Sequence, residues 1–235
     1  MVGALQVGAP SRVFDAVVIK TAQISDRGIS GCRGHDRGLA GVPQGRCRFI
    51  GHTLKRLIMA AYQKSAFEVV EGPAWMNSDF FNLEAVAPDP GTVPQQELLT
   101  MLQYQIQESF KLTFHRETRT MSGYTLLVTD VKKLAIAQEQ LPPRRLLLSS
   151  RGITAYRGLL STFVPSLISY LNAPVKDATG LTEPYMIDLD WRTEDVNTQT
   201  AQLFAVLPDK GLKLTAEKIA VEVLVIDSAQ KPKLQ

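Results

Sequence analysis

Apolar side chains recur along this chain at a spacing that predicts amphipathic helices. Residues 53–62 carry one such pattern, with Thr53 as the expected N-cap. Residues 92–109 carry another, in which Thr92 is the expected N-cap and Gln95 is its capping-box partner. Each segment therefore presents one apolar face, which we expect to cover a small sheet.

Alternation of apolar and polar residues predicts strands before, between and after these helices. Phe80–Val86 is the clearest of them. A hairpin is expected after the second helix, with its turn at Ser122–Gly123. The other strands expected in this part of the chain are a buried opening strand at 13–19, a strand at 47–50, an extended segment at 67–70, and the hairpin strands 112–114 and 124–128.

The same order of elements returns roughly a hundred residues later. The apolar set that starts at Leu54 is repeated from Leu160, and the strand pattern at 81–85 is repeated at 187–191. A period of this length indicates duplicated domains and not a solenoid, whose repeats are shorter. The second half is therefore predicted to contain strand 153–156, helix 160–171, strand 186–191, helix 198–206 and a hairpin of 212–214 with 221–226.

These patterns predict an α+β fold with two related subdomains that arose by internal duplication. Each subdomain is expected to follow the order strand, helix, strands, helix, hairpin. This outline is loosely similar to the short N-terminal modules of secretins and TonB-dependent receptors, which bind proteins. The predicted organisation is a tail or export-signal remnant over 1–12, a first repeat over 13–130, a linker over 131–150 and a second repeat over 151–235.

Composition limits the classes of protein to consider. Of the 235 residues, 45% are hydrophobic and 21% are charged, which is ordinary for a folded globular protein. The net charge is only +3 and the basic residues are dispersed, so we expect no nucleic-acid partner. No run reaches the ~20 apolar residues of a membrane-spanning helix. The N-terminus lacks a complete signal peptide, although Met1–Leu5 is compatible with the trimmed end of one.

The two cysteines, Cys32 and Cys47, flank a segment that is rich in glycine and arginine and poor in apolar side chains. Such a loop gains most from a covalent cross-link, and a disulfide would indicate an oxidising compartment. Two alternatives stay open at this point. The thiols are either free, or they bind a metal together with His35, although three ligands without paired spacing are a weak metal motif.

The most charged motif lies where one strand of the first predicted hairpin leaves the core. On a strand, His115, Glu117 and Arg119 share one face. That face is either an acid–base or anion-binding site, or a cross-strand ladder of ion pairs on the solvent side. These residues form a candidate interaction patch with Trp75 and Trp191, which we expect to plug a core or a domain interface rather than to bind a ligand.

No other set of residues has the spacing of a known site. No serine or cysteine lies in a nucleophile elbow, and His52 stands at a helix start, where capping or exposure explains it. One acidic set lacks the spacing of a calcium-binding loop, and it consists of Asp188, Asp190, Glu194 and Asp195. One glycine set lacks the helix that follows a phosphate-binding loop, and it consists of Gly28, Gly31, Gly34, Gly38 and Gly41. We therefore predict no catalytic residues, no metal and no cofactor.

Six stretches spread over nearly the whole chain are specific when taken together. They are FDAVVIK at 14–20, TLKRLIMAAY at 53–62, GPAWMNSDFFNLEA at 72–85, FKLTFHRETR at 110–119, DATGLTEPYMIDLDW at 177–191 and VEVLVID at 221–227. Together they resemble a soil-associated bacterial family, expanded in acidobacteria, that is known only as a domain of unknown function. The resemblance implies export and offers no established catalytic residues. Some members look like appendages of membrane metallopeptidase regulators, but this chain shows neither a peptidase domain nor an HExxH motif, so that activity does not carry over.

We therefore expect a non-catalytic, exported binding or interaction module of the cell envelope, either periplasmic or secreted, with a protein partner. One alternative is an envelope hydrolase that uses His115 and Glu117 in a cleft between the two halves. Another is a structural protein that assembles with copies of itself through exposed strand edges.

Overall fold

The computed structural model describes residues 10–26, 28–136, 145–149, 152–158, 160–190 and 196–233. These residues form both helices and sheets, so the predicted α+β class is confirmed. The helices are α1 (Leu54–Tyr62), α2 (Gln95–Phe110), α3 (Leu160–Leu171) and α4 (Val196–Val206). The strands are β1 (Ala16–Ala22), β2 (Gly31–Arg33), β3 (Arg46–Thr53), β4 (Val69–Glu71), β5 (Phe80–Val86), β6 (Thr113–Val128), β7 (Ala135–Ile136), β8 (Arg145–Ser149), β9 (Gly152–Gly158), β10 (Val175–Asp177), β11 (Tyr185–Asp190) and β12 (Leu212–Ser228).

The chain divides into two compact units, one of residues 1–118 with 222–235 and one of residues 119–221. Both boundaries fall inside long strands, because β6 and β12 each contribute residues to both units. The end of β12 pairs in parallel with β4 in the first unit, and β6 pairs in parallel with β10 in the second. These bounds differ from the predicted repeats, and the segment predicted as a linker, 131–150, contains β7 and β8.

The first unit is built on an antiparallel sheet in the order β1-β5-β3-β2. Alternate side chains of β5 are fully buried, as its pattern predicts. Helices α1 and α2 bury one face each in the same core. The members of this core from α1, α2 and β5 are Leu54, Leu57, Ile58, Ala61, Leu98, Leu99, Met101, Leu102, Ile106, Phe110, Phe81, Leu83 and Ala85.

The second unit has an antiparallel sheet in the order β7-β11-β9-β8. Its core includes Phe163 and Leu167 of α3, Leu203 of α4 and Ile187 of β11. In each unit, the strand before the second helix lies next to the strand before the first. A duplication would produce this shared order, but common ancestry of the two units stays a prediction.

Both predicted hairpins are wrong. Residues 113–128 and 212–228 each form one continuous strand. The turn signal at Ser122–Gly123 has a different cause, since a Cβ at Gly123 would lie 2.5 Å from the carbonyl oxygen of Pro174. Gly123 therefore allows a close backbone approach inside the second unit and does not form a turn.

The helix starts were predicted with mixed success. Thr53 caps α1 as expected, because its hydroxyl accepts the N–H of Arg56. The predicted cap at Thr92 is wrong, since α2 begins at Gln95 and Thr92 donates its hydroxyl to the carbonyl of Asp89 instead. The segment at 67–70 is only partly extended, because a 3-10 turn precedes β4.

Candidate functional site

Cys32 and Cys47 form a disulfide. The two residues lie directly opposite each other on β2 and β3, with their Cα atoms 4.0 Å apart, and both are buried. The structure therefore confirms the predicted pairing. It excludes the free-thiol and metal alternatives, because neither sulfur is left as a thiolate ligand for a site with His35.

The glycine-rich segment after β2 docks on the start of α2. Gly34 donates its N–H to Oε1 of Gln95 (2.9 Å), and a carboxylate oxygen of Asp36 accepts the N–H of Gln95 (2.8 Å). This hydrogen bond holds the pKa of Asp36 below its usual value. A Cβ at Gly34 would lie 2.2 Å from the backbone nitrogen of Gln95, so glycine is needed there for packing. The segment is thus a helix cap.

One member of the predicted charged face on β6, His115, contacts a carboxylate of the first unit, and its neighbour Arg116 joins a separate set of ion pairs. His115 Nδ1 lies 2.8 Å from Oδ1 of Asp227, and Arg116 lies 2.9 Å from Glu222. Glu222 also lies 3.6 Å from Lys64. Of the other two members of the predicted face, Glu117 belongs to the first unit and Arg119 belongs to the second. An acid–base role for His115 and Glu117 stays a prediction.

Trp75 packs on the core of the first unit. Its ring stacks on Phe110, with 6.4 Å between centroids, and meets the ring of Phe81 edge to face. The Lys231 ammonium lies 5.9 Å from the centre of the indole. Trp191, the other predicted member of the patch, lies outside the described residues, as do Glu194 and Asp195 of the predicted acidic set.

Neither a metal centre nor a membrane span is found in the part of the chain that the structure describes. No three His, Cys, Asp or Glu side chains are grouped there closely enough to hold a metal ion. None of its helices combines the length and the apolar character that crossing a membrane requires. A shallow apolar cavity of about 490 Å³ lies over the disulfide, but His52 is its only titratable side chain, so little in it selects a ligand.

Among the described residues, no strand pairs with the outer side of β1. The carbonyl of Val86 accepts the N–H of Asp15, so the backbone groups of Val86 point toward β1. The backbone N–H and C=O groups of successive residues on a strand point to opposite sides. The residues of β1 that pair with Val86, Glu84 and Asn82 are Ala16, Val18 and Lys20, and they bond toward β5. The N–H and C=O groups of the intervening residues point away from the sheet, and these residues are Val17, Ile19 and Thr21.

A groove runs beside this edge. It consists of two adjoining cavities of about 430 Å³ and 290 Å³ that share Lys231 and Pro232. We call it the β1 groove. Val17, Ile19 and Thr21 line one side of it, and the end of α2 and the C-terminal segment line the other, with Glu108, Lys111, Lys231, Pro232 and Lys233. The C-terminal segment is held in place by the N–H of Gln230, which donates to the carbonyl of Phe110 (2.6 Å).

Comparison with known families shows the family to which the chain belongs. A family model described as "Protein of unknown function (DUF3738)" matches residues 55–229, which is well over half of the sequence. The protein belongs to the DUF3738 family. No curated protein and no solved structure matches it. The DUF3738 match begins in α1, so β1 and the disulfide precede the matched residues.

Sequence reasoning missed the open edge of β1. The apolar run at 13–19 was expected to be a buried strand, but β1 lies at the end of the sheet order and Val18 is 40% exposed. A run of valine and isoleucine cannot by itself distinguish a central strand from an edge strand. The sequence offers two polar signals, Asp15 inside the run and the pair Lys20–Thr21 directly after it.

Proposed function

We propose that this protein is an exported, non-catalytic binding module that takes up an extended segment of a protein partner as an added strand along β1. The observation that carries the proposal is the row of outward N–H and C=O groups on Val17, Ile19 and Thr21. Strand addition uses such an edge for main-chain hydrogen bonds and uses neighbouring pockets to select side chains. The β1 groove is such a pocket.

Within the described part of the chain, β1 shows none of the sequence features that usually protect an edge strand. Natural edges are blunted by proline, by several charges, by bulges or by short length. β1 has seven residues, one lysine as its only charge, no proline, and a register with β5 that does not shift. The opposite edge of this sheet, β2, has three residues and is cross-linked by the disulfide. The unprotected edge is therefore the better candidate for a partner.

Export is part of the same proposal. Structural disulfides persist in oxidising compartments and are rare in the bacterial cytoplasm. The disulfide of Cys32 and Cys47 is compatible with a periplasmic or secreted location, as is the exported character of the soil-associated family that the sequence resembles. Trapping free thiols in intact cells tests this: we expect both cysteines to resist labelling, and full labelling before extraction would contradict export.

The binding proposal is tested with a proline substitution on the open edge. Thr21→Pro removes one outward N–H and leaves the bonds from β1 to β5 in place, whereas Thr21→Ala keeps the N–H and serves as the matched control. The probes are three ten-residue peptides in which valine alternates with aspartate, asparagine or lysine. We expect at least one peptide to bind the wild type and Thr21→Ala, and to bind Thr21→Pro at least several-fold more weakly. No binding by any of the three would overturn the proposal.

The same open edge supports self-assembly as a second candidate, because a copy of β1 also offers free backbone groups. Size-exclusion chromatography over a wide range of concentrations distinguishes the two. A partner-binding module stays monomeric, and Thr21→Pro does not change its elution. Dimers or larger species that Thr21→Pro dissociates would favour self-assembly instead.

A further inference from the structure

The charges around β1 are unevenly balanced. The β1 groove and its rim contain three lysines and two carboxylates, and each carboxylate already pairs with a lysine. Glu108 lies 3.5 Å from Lys111, and Asp79 lies 2.7 Å from Lys231. The hydrogen bond from Lys231 also lowers the pKa of Asp79, so this carboxylate stays ionised and paired.

Two lysines near the edge have no ion-pair partner among the described residues. Lys233 lies in the groove, and Lys20 lies on β1 itself and is exposed. An incoming cation therefore meets uncompensated positive charge, and an incoming carboxylate meets ammonium groups that no acidic side chain of the described chain occupies. The local charge thus selects against basic segments and in favour of acidic ones.

We infer that the segment added along β1 is acidic, with carboxylates at every second residue. This inference rests on the proposed function. Side chains of a strand alternate between its two faces, so every second side chain of the added strand points to the side on which Val17 and Ile19 line the groove. Carboxylates at those positions lie beside Lys233, which has no ion-pair partner among the described residues, and near Lys111 and Lys231, which already pair with Glu108 and Asp79. β-branched residues between the carboxylates favour the extended backbone.

The effect of each charge should be modest, because the lysines are well exposed. The side chains of Lys111 and Lys231 have relative accessibilities of 62% and 60%. Exposed ion pairs typically change an equilibrium constant by about twofold to fivefold each. We therefore expect the aspartate peptide to bind about tenfold more tightly than the asparagine peptide, with the advantage shrinking as salt is raised.

Fluorescence anisotropy with the three peptides tests the inference on the full chain. Lys233→Glu should weaken binding of the aspartate peptide by about fivefold and strengthen binding of the lysine peptide, because its position is exposed and its charge is reversed. Lys213→Glu is the matched control, since Lys213 is an exposed lysine of the second unit, and it should leave all three affinities unchanged.

The outcomes separate this inference from the function on which it rests. Tightest binding of the aspartate peptide, weakened about fivefold by Lys233→Glu, supports an acidic partner. Equal binding of the three peptides, still weakened by Thr21→Pro, would overturn the acidic preference and leave strand addition standing. Absence of binding by every peptide would overturn both.

Discussion

Asp36 caps a helix that begins 59 residues further along the chain. The local capping rule pointed to Thr92, because that rule considers only neighbours in sequence. No pattern near Gln95 indicates that a carboxylate from the disulfide loop accepts its N–H. By contrast Thr53, whose partner is three residues away, was predicted correctly. At the residue scale, short-range contacts could be predicted and contacts made through the fold could not.

The cap predicts a pH dependence. The pKa of Asp36 is lower in the folded protein than the ordinary 3.8, so its carboxylate stabilises the fold above about pH 4. That contribution is lost as the pH falls through the lowered value. Asp36→Asn should therefore reduce the free energy of unfolding at pH 6, and the deficit relative to wild type should shrink toward pH 3. Urea unfolding at the two pH values measures this, and an equal deficit at both would contradict the assigned role.

Gly123 shows at the scale of elements why one strand was mistaken for a hairpin. Serine followed by glycine is a common turn signal, yet β6 passes straight through this pair. The glycine is required by a neighbouring backbone, which only the folded unit reveals. Periodic patterns did predict α1 and β5 closely, because their own side chains determine which face is buried.

Adding one methyl group at Gly123 should disturb the second unit. The new Cβ would lie 2.5 Å from the carbonyl oxygen of Pro174, so one of the backbones must move. Gly123→Ala is expected to lower the free energy of unfolding by about 1–3 kcal/mol. Gly91→Ala is the control, because no atom lies within 4 Å of its Cβ position. Equal stability of the two variants in urea unfolding would show that Gly123 has no packing role.

The disulfide joins β2 to β3 and so holds the loop that caps α2. It closes a separation of 15 residues, for which the chain-entropy model gives about 3 kcal/mol of stabilisation. Replacing Cys32 and Cys47 together by alanine should cost a comparable free energy of unfolding, and adding reductant should destabilise the wild type but not the double variant. A reductant effect on the double variant would mean that the stabilisation has another origin.

For the whole molecule, the order of the described helices and of the strands beside them could be predicted, but the two hairpins and the composition of each compact unit could not. The prediction assigned residues 151–235 to one repeat, yet Leu224 and Ile226 of β12 lie in the core of the first unit. Both residues lie opposite residues of β4 in a parallel pair, and β4 comes more than a hundred residues earlier in the chain. Hydrophobic pattern indicates that a strand is buried, and it does not indicate in which core.

Truncation tests this division. A chain that ends at Val221 lacks Leu224 and Ile226, and each large buried side chain contributes about 2–5 kcal/mol to a unit. The first unit should therefore lose its fold, whereas residues 119–221 keep theirs. A chain that ends at Gln230 retains both side chains and should stay folded. Amide spectra of the two chains decide the matter, and native signals from Leu83 in the shorter one would contradict the division.

The proposed activity also belongs to the whole molecule, because the β1 groove combines an N-terminal strand, the end of α2 and the C-terminal segment. These three parts come together only in the folded chain. No local motif therefore predicted the site, and the proposed binding relies on backbone groups and dispersed lysines.

Amide hydrogen exchange along β1 tests the central claim most directly. In dilute monomeric protein, the N–H groups of Val17, Ile19 and Thr21 should exchange rapidly, whereas those of Val18 and Lys20 are protected by β5. Saturation with the aspartate peptide should protect the three outward amides and leave the other two unchanged. Rapid exchange that no peptide slows, or protection already present in the monomer, would contradict an open edge that accepts a strand.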